Sequence, residues 1–318
     1  MTKFRQLMLG TAILAGTAGG AAAQDIAVIA GSIEDGFFNL IKKGVDDATA
    51  MVEANGGTVN YLRVPNYDNF GPDLVTLINQ AVAQGVDGIA IPVWVPEAQV
   101  PALQAAAEQG ITIMMYNSGQ QVKDDVGALN YFGSDEFVAG EEGGRYLAEQ
   151  GAKHILCHIQ VPGAVNLETR CEGVTAGAEA AGATVTTLRV PANLDGDVTG
   201  TASTLLAEMS GDESIDAVIN LAAWASDASA NAVEQLGRDV MIGTFDMSPA
   251  VLDRIKNGTQ TMAIDQQPYL QGFLATSMLF ANLAFGTDIS TDPVLTGPAI
   301  IDASNIDAAL AGVELGAR

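Results

Sequence analysis

The sequence predicts an α/β protein made of two lobes, each a parallel sheet flanked by helices, and three observations carry that prediction. Short continuous apolar runs alternate with longer amphipathic segments, the pattern of βαβ units whose strands are covered on both faces. The alternation starts at Asp25 and restarts once near Tyr131, with no Pro/Ser-rich linker between the two arrays. The length, 318 residues, suits about two domains of roughly 150 residues.

The elements follow in order. Ile26 to Ala30 reads as a buried strand, and Phe37 to Glu53 as a helix stopped by Gly56 and Gly57. Val59 to Val64 is a strand, Pro72 to Ala83 a helix, Gly88 to Ile91 a strand, Pro96 to Gln109 a helix and Ile111 to Tyr116 a strand. After the restart come a helix from Glu136 to Glu149, a strand from Ile155 to Ile159, a helix from Leu167 to Ala181 and a strand from Thr184 to Val190. Thr201 to Met209 is helical, Ala217 to Leu221 a strand, Ala225 to Leu236 helical, Val240 to Gly243 a strand and Pro249 to Lys256 helical. A long helix, Leu270 to Phe285, precedes a short strand near Pro298 to Ile301.

The first residues stand apart. Lys3 and Arg5 precede an apolar stretch, Leu7 to Ala18, and then Ala21-Ala22-Ala23. That is the pattern of a secretory signal, with cleavage expected after Ala23 and export to the periplasm. The chain as a whole is strongly acidic: 14 Lys+Arg against 38 Asp+Glu give a net charge of −24. Such a balance repels phosphate backbones and anionic bilayers, so no nucleic-acid partner is expected.

In doubly wound sheets ligands sit beyond the carboxyl ends of the strands. Those positions here read Ser32 to Gly36, Pro65 to Asp68, Pro92-Val93-Trp94, Asn117-Ser118-Gly119, Gln160 to Asn166, Ala222-Ala223-Trp224 and Phe245-Asp246-Met247. Polar and aromatic residues mix there with one nearby cation, Arg170, which suits a neutral polyhydroxyl compound better than a phosphate. Fingerprints of catalysis and cofactors are missing: no GxGxxG follows the first strand, and there is neither a P-loop nor a G-x-S-x-G elbow. No cofactor, no metal and no catalytic residue is expected. His154 and His158 read as strand packing. Asn193, Asp195 and Asp197 lack the glycine of a calcium loop and read as a solvated turn. Cys157 and Cys171 are the only thiols; the sequence leaves open whether they pair or sit as two buried apolar groups.

Asp35-Gly36-Phe37-Phe38, Asn117-Ser118-Gly119, Leu167 to Gly173, Gly243 to Asp246 and Ile264 to Gly272 together resemble the type I periplasmic binding proteins. Within these the chain is similar to the ribose-binding branch, the substrate-binding subunits of sugar ABC importers. The resemblance spans essentially the whole chain after the signal. It implies two Rossmann-like lobes joined by a three-crossover hinge: residues 24–133 plus 267–296, and residues 134–266 plus 297–318, with residues 1–23 removed. It implies no enzyme, but a monomer that closes on a small neutral monosaccharide or polyol, of the pentose, tetritol, pentitol or inositol class, and hands it to an inner-membrane permease. The alternatives are an exported sugar hydrolase, or a chemoreceptor or quorum-signal binding protein of the same fold.

The resemblance also implies ligand roles. Phe37 and Phe38 match an aromatic pair that sandwiches the sugar, Asp35 a polar contact before it, and Arg170 the arginine of the second lobe. Asn117 stands where the family has an aspartate, Asp246 matches an aspartate after a late strand, and Gln266 a glutamine at a crossover. Asn166 and Trp224 complete the expected set. Asn117-Ser118 replaces an Asp-Arg pair, and Ala222-Ala223 replaces Asn-Asp, so the site is less charged than a ribose site. Arg170, as a cleft residue, is expected to be replaceable without loss of the fold. With one fixed cation in the site, sugar phosphates are expected to be refused because their dianion would face Asp35 and Asp246, and disaccharides because enclosure between the lobes leaves no exit for a second ring.

Overall fold

A computed structural model describes residues 24–318; the expected signal segment lies outside the described residues. β1 (Asp25–Ala30), β2 (Thr58–Arg63), β3 (Gly88–Ile91), β4 (Thr112–Tyr116), β5 (Tyr131–Ser134) and β11 (Val294–Gly297) form one sheet, in the order β11-β5-β4-β3-β1-β2. β6 (His154–Ile159), β7 (Thr184–Arg189), β8 (Ala217–Asn220), β9 (Met241–Phe245), β10 (Met262–Asp265) and β12 (Ala299–Ile301) form the other, in the order β12-β10-β9-β8-β6-β7. The two orders match position for position. All pairings are parallel except that of β12 with β10.

The central strands are apolar throughout because helices cover both faces: Ile26, Val28, Ile29, Ile89, Ile91, Ile155 and Ile219 have no exposed surface. Each such side chain contributes about 1.5–3 kcal/mol when fully buried. The chain passes between the sheets three times, after β5, after β10 and between β11 and β12. Among the described residues three strands and one α-helix were not expected from the sequence: β5, β10, β11 and the final helix α10 (Asp307–Glu314).

In each lobe one helix pair is fixed by backbone approach. In the first lobe α1 (Gly36–Ala54) packs on α9 (Pro268–Phe285), where a Cβ on Gly44 or Gly272 would collide with the carbonyl of Tyr269 or Ile41. In the second, α4 (Glu136–Glu149) packs on α5 (Val165–Ala180), with Gly140 against the Arg170 carbonyl and Gly173 against the Phe137 carbonyl. A disulfide joins Cys157 on β6 to Cys171 on α5, with Cα atoms 5.9 Å apart. It settles the question the sequence left open and ties α5 to the sheet next to Arg170. His158 is buried, its Nδ1 paired with Asn220 Oδ1 at 3.2 Å, whereas His154 at the start of the strand pairs with Ser214 and Thr186 hydroxyls.

Candidate functional site

The loop after β1 opens the site. Arg63 holds it, donating from Nε to the Gly31 carbonyl (3.1 Å) and from Nη1 to Asn39 Oδ1 (2.9 Å). Asp35 then caps α1, its Oδ1 accepting from the Phe37 amide at 3.0 Å, which satisfies one of the free N–H groups of the first turn. Its Oδ2 accepts from the Tyr67 hydroxyl at 2.8 Å, and that hydroxyl accepts from the Ser32 amide at 3.1 Å. The cap sets the direction in which Phe37 and Phe38 leave the helix.

These rings form an aromatic wall on the first lobe. Phe38 meets Phe37 and Trp94 edge to face, each at 5.4 Å between centroids, and Phe70 lies 5.1 Å from Trp94 and 4.8 Å from Tyr67. Trp94 follows β3 and donates from Nε1 to Asn117 Oδ1 at 3.1 Å, while Asn117 Nδ2 donates to Gln271 Oε1 at 3.2 Å. Asn117 and Asp246 follow the matching strands β4 and β9, and both adopt left-handed backbone, φ 62° and 67°. Asn and Asp tolerate that conformation better than other side-chain residues. It turns the chain at the strand end, and both residues reach the cleft.

The second lobe and the crossings supply a polar chain. Arg170, on α5, is 2% exposed. Its Nε donates to Glu136 Oε2 at 2.6 Å and its Nη2 to Gln266 Oε1 at 2.6 Å; the guanidinium also lies 4.4 Å over the Phe245 ring. Gln266 Nε2 donates to Asp246 Oδ1 at 2.5 Å. Four residues from four segments are thus linked, and the arginine is held in the cleft wall by buried partners. The fold is expected to survive its loss, but removal leaves Glu136 buried without a counter-charge, so survival comes with lowered stability.

The lobes touch around the cleft, with the Val165 amide donating to the Trp94 carbonyl at 2.9 Å. The space within the cleft, with the open solvent at its mouth included, is about 510 Å³. Two buried acceptors beside it, Gln160 Oε1 and Asn166 Oδ1, have no donor among the described residues. Burial pushes the carboxyls of Asp195 and Asp246 up to about 7; the Asp35 charge adds to this at Asp195, while Arg170 and Gln266 oppose it at Asp246. Burial also raises Asp35, against the pull of Tyr67 and the Phe37 amide.

Asp35, Phe37, Phe38, Asn117, Asn166, Arg170, Asp246 and Gln266 all line this one cleft. Trp224 does not; it borders two adjoining spaces. The reason is local: α7 (Ala223–Leu236) starts two residues earlier than the sequence suggests, so Trp224 lies in its first turn instead of a loop. Tyr67, Phe70, Gln160 and Asp195 line the cleft but were not among the expected residues, and neither was Glu136, the partner of Arg170. Tyr67 and Gln160 had a usable signal in their place just beyond strand ends. Asp195 was read as part of a solvated turn, but only Asp197 behaves locally, capping α6 (Val198–Gly211) through the Thr199 and Gly200 amides. Glu136 had no such signal, since one acidic residue at a helix start is ordinary.

Two doubly wound lobes, three crossings and a polar, aromatic-walled cleft between strand ends define a two-lobed solute-binding protein of type I. Residues 26–288 match the periplasmic binding protein domain, and the chain belongs to that family. A carbohydrate transporter from Acidothermus cellulolyticus 11B, solved in complex with myo-inositol, superposes with a TM-score of 0.85 at 36% identity, over 93% of this chain and 100% of that one. The xylose/arabinose-binding protein XylF of Sulfolobus acidocaldarius is 25% identical over 293 residues, 85% of this chain and 69% of that protein. A solute-binding protein from Burkholderia graminis C4D1M, in complex with D-arabinose, shares the fold, with a TM-score of 0.77 at 23% identity over 90% and 97% of the two chains. Membership of this family implies a place of action outside the cytoplasm.

Proposed function

We propose that the protein captures a small neutral monosaccharide or cyclic polyol in this cleft, without chemical turnover, and delivers it to an ABC-type importer. The observation that carries the reading is the pairing of an aromatic wall with buried acceptors that lack donors. Gln160 Oε1 and Asn166 Oδ1 each need a hydrogen-bond donor, and ligand hydroxyls supply one. Phe37 and Phe38 offer apolar faces to the C–H side of a ring, while Arg170, Asn117, Asp246 and Gln266 face its edge. Arg170 is already engaged by Glu136 and Gln266, so little free positive charge is left for an anion. myo-Inositol leads the list because the relative that is 36% identical holds it. The chain is secreted after cleavage behind Ala23 and works as a monomer.

A thermal-shift screen followed by calorimetry tests this, using myo-inositol, xylose, arabinose, ribose, tetritols and pentitols. Ligand at 100 times Kd adds about 2.7 kcal/mol of stability, a readable rise in melting temperature. Stoichiometric binding with the ligand recovered unchanged is expected. Turnover of a glycoside, or no response to any member of the set, overturns the reading.

A further inference from the structure

Beside the cleft lies a second space of about 810 Å³, counted out to its mouth, which shares Asp35, Phe37, Ala222 and Asp246 with the cleft as a common boundary. Beyond that boundary its walls are mainly apolar: Leu40, Trp224, Met247, Pro249 and Val313. We infer that this annex receives an apolar substituent, an alkyl or aryl group in ether or glycosidic linkage, carried by a polyol ring seated in the cleft. The inference rests on the ligand class proposed above and extends it from bare rings to their neutral apolar conjugates.

Three features support it. Ala222 lies on the common boundary, and the next residue, Ala223, lines only the annex; both side chains are small, so they put little bulk between the two spaces. Trp224 is half-buried and lines the annex as well as a third, neighbouring space. The charges at the far end are already neutralised: Arg318 Nε donates to Asp265 Oδ2 at 2.8 Å, and Arg254 Nη1 pairs with Asp227 Oδ1 at 2.7 Å. A phosphate or carboxylate substituent would pass Asp35 and Asp246 and find no free cation, whereas an apolar group exchanges water for apolar wall. Size is no obstacle: about 300 Å³ of the annex is free for water-sized occupants, and a cavity of about 150 Å³ is enough for a benzene ring. The expected refusal of phosphates on charge is kept, and the annex adds that a neutral apolar substituent enters.

The test is competition calorimetry with myo-inositol, xylose and arabinose against their mono-O-benzyl ethers or benzyl glycosides, and against the corresponding phosphates. At least one positional isomer of a benzyl conjugate is expected to bind within about tenfold of its parent, roughly 1.4 kcal/mol, and the phosphates are expected not to compete. Ala223→Leu, which fills the annex, and Trp224→Ala, which removes its wall, should each weaken the benzyl conjugate about tenfold or more while leaving the parent within about threefold. If parents bind and every benzyl conjugate is weaker by more than about a hundredfold, the annex holds only solvent and the inference is wrong. It is equally wrong if Ala223→Leu leaves a bound conjugate unaffected. If neither parents nor conjugates bind, the reading of the cleft itself falls, and this inference with it.

Discussion

Replacing Arg170 with alanine puts the network between the lobes under the most direct strain. The side chain is 2% exposed and donates to Glu136 Oε2 and Gln266 Oε1, each at 2.6 Å. Without it Glu136 stays buried with no cation, and Gln266 Oε1 loses its donor. Breaking a buried ion pair by removing one partner costs about 3–5 kcal/mol. For a lobe of this size each kcal/mol moves the melting temperature by about 2–4 °C, so Arg170→Ala should melt roughly 6–20 °C below the parent. Replacing both members, Arg170→Met with Glu136→Leu, removes the stranded charge and should recover most of that loss, because apolar replacements of a buried pair are often near neutral. Ligand affinity should stay reduced by about tenfold or more in the double variant, since the ring loses a charge-assisted donor. Calorimetric melting and ligand titration on the three proteins separate the two effects. An Arg170→Ala protein melting within about 2 °C of the parent, less than 1 kcal/mol of change, would refute the buried-pair argument.

Other expectations follow from the same geometry. Asp195 and Asp246 sit at about 7 in the folded protein, above the ordinary value of 3.8. The folded state therefore holds these protons more tightly than the unfolded chain, and their contribution to stability falls as pH rises through the window from about 4 to about 7. Ligand-free protein should melt higher at pH 5 than at pH 8 from this source, and Asp195→Asn together with Asp246→Asn should flatten that slope. Reducing the Cys157–Cys171 bridge, or replacing both cysteines with serine, should cost about 3 kcal/mol in denaturant titrations, the value for a loop of about 15 residues; no loss would mean that the tether adds nothing. Gly140→Ala drives a methyl group into the Arg170 carbonyl. It should separate α4 from α5, lowering both melting temperature and ligand affinity, whereas Gly211→Ala, where a Cβ meets nothing, should change neither.

Much of the fold was legible because parallel strands covered on both faces need unbroken apolar runs, and helices between them need a 3.6-residue pattern. Both signals are written locally, so β1, β3, β6 and β8 were placed to within a residue or two. The rule that ligands sit beyond strand ends, with the family resemblance, then picked out Asp35, Phe37, Asn117, Arg170 and Asp246 from the sequence. β5, β10 and β11 are no shorter than β3 and β8 but escaped because they lie at the crossings and their apolar runs are cut short by Gly133-Ser134, Asp265 and Thr296-Gly297, so they depend on neighbours brought in from distant sequence. Only the tertiary structure could decide that Glu136, 34 positions away, neutralises Arg170, or that Gln266 links Arg170 to Asp246. The same holds for Asp195, which leaves an apparent surface turn to face Asp35 across the cleft. Strand and helix are dictated by neighbours in sequence, whereas the charge, depth and extent of a cleft between two lobes depend on contacts that no local pattern records.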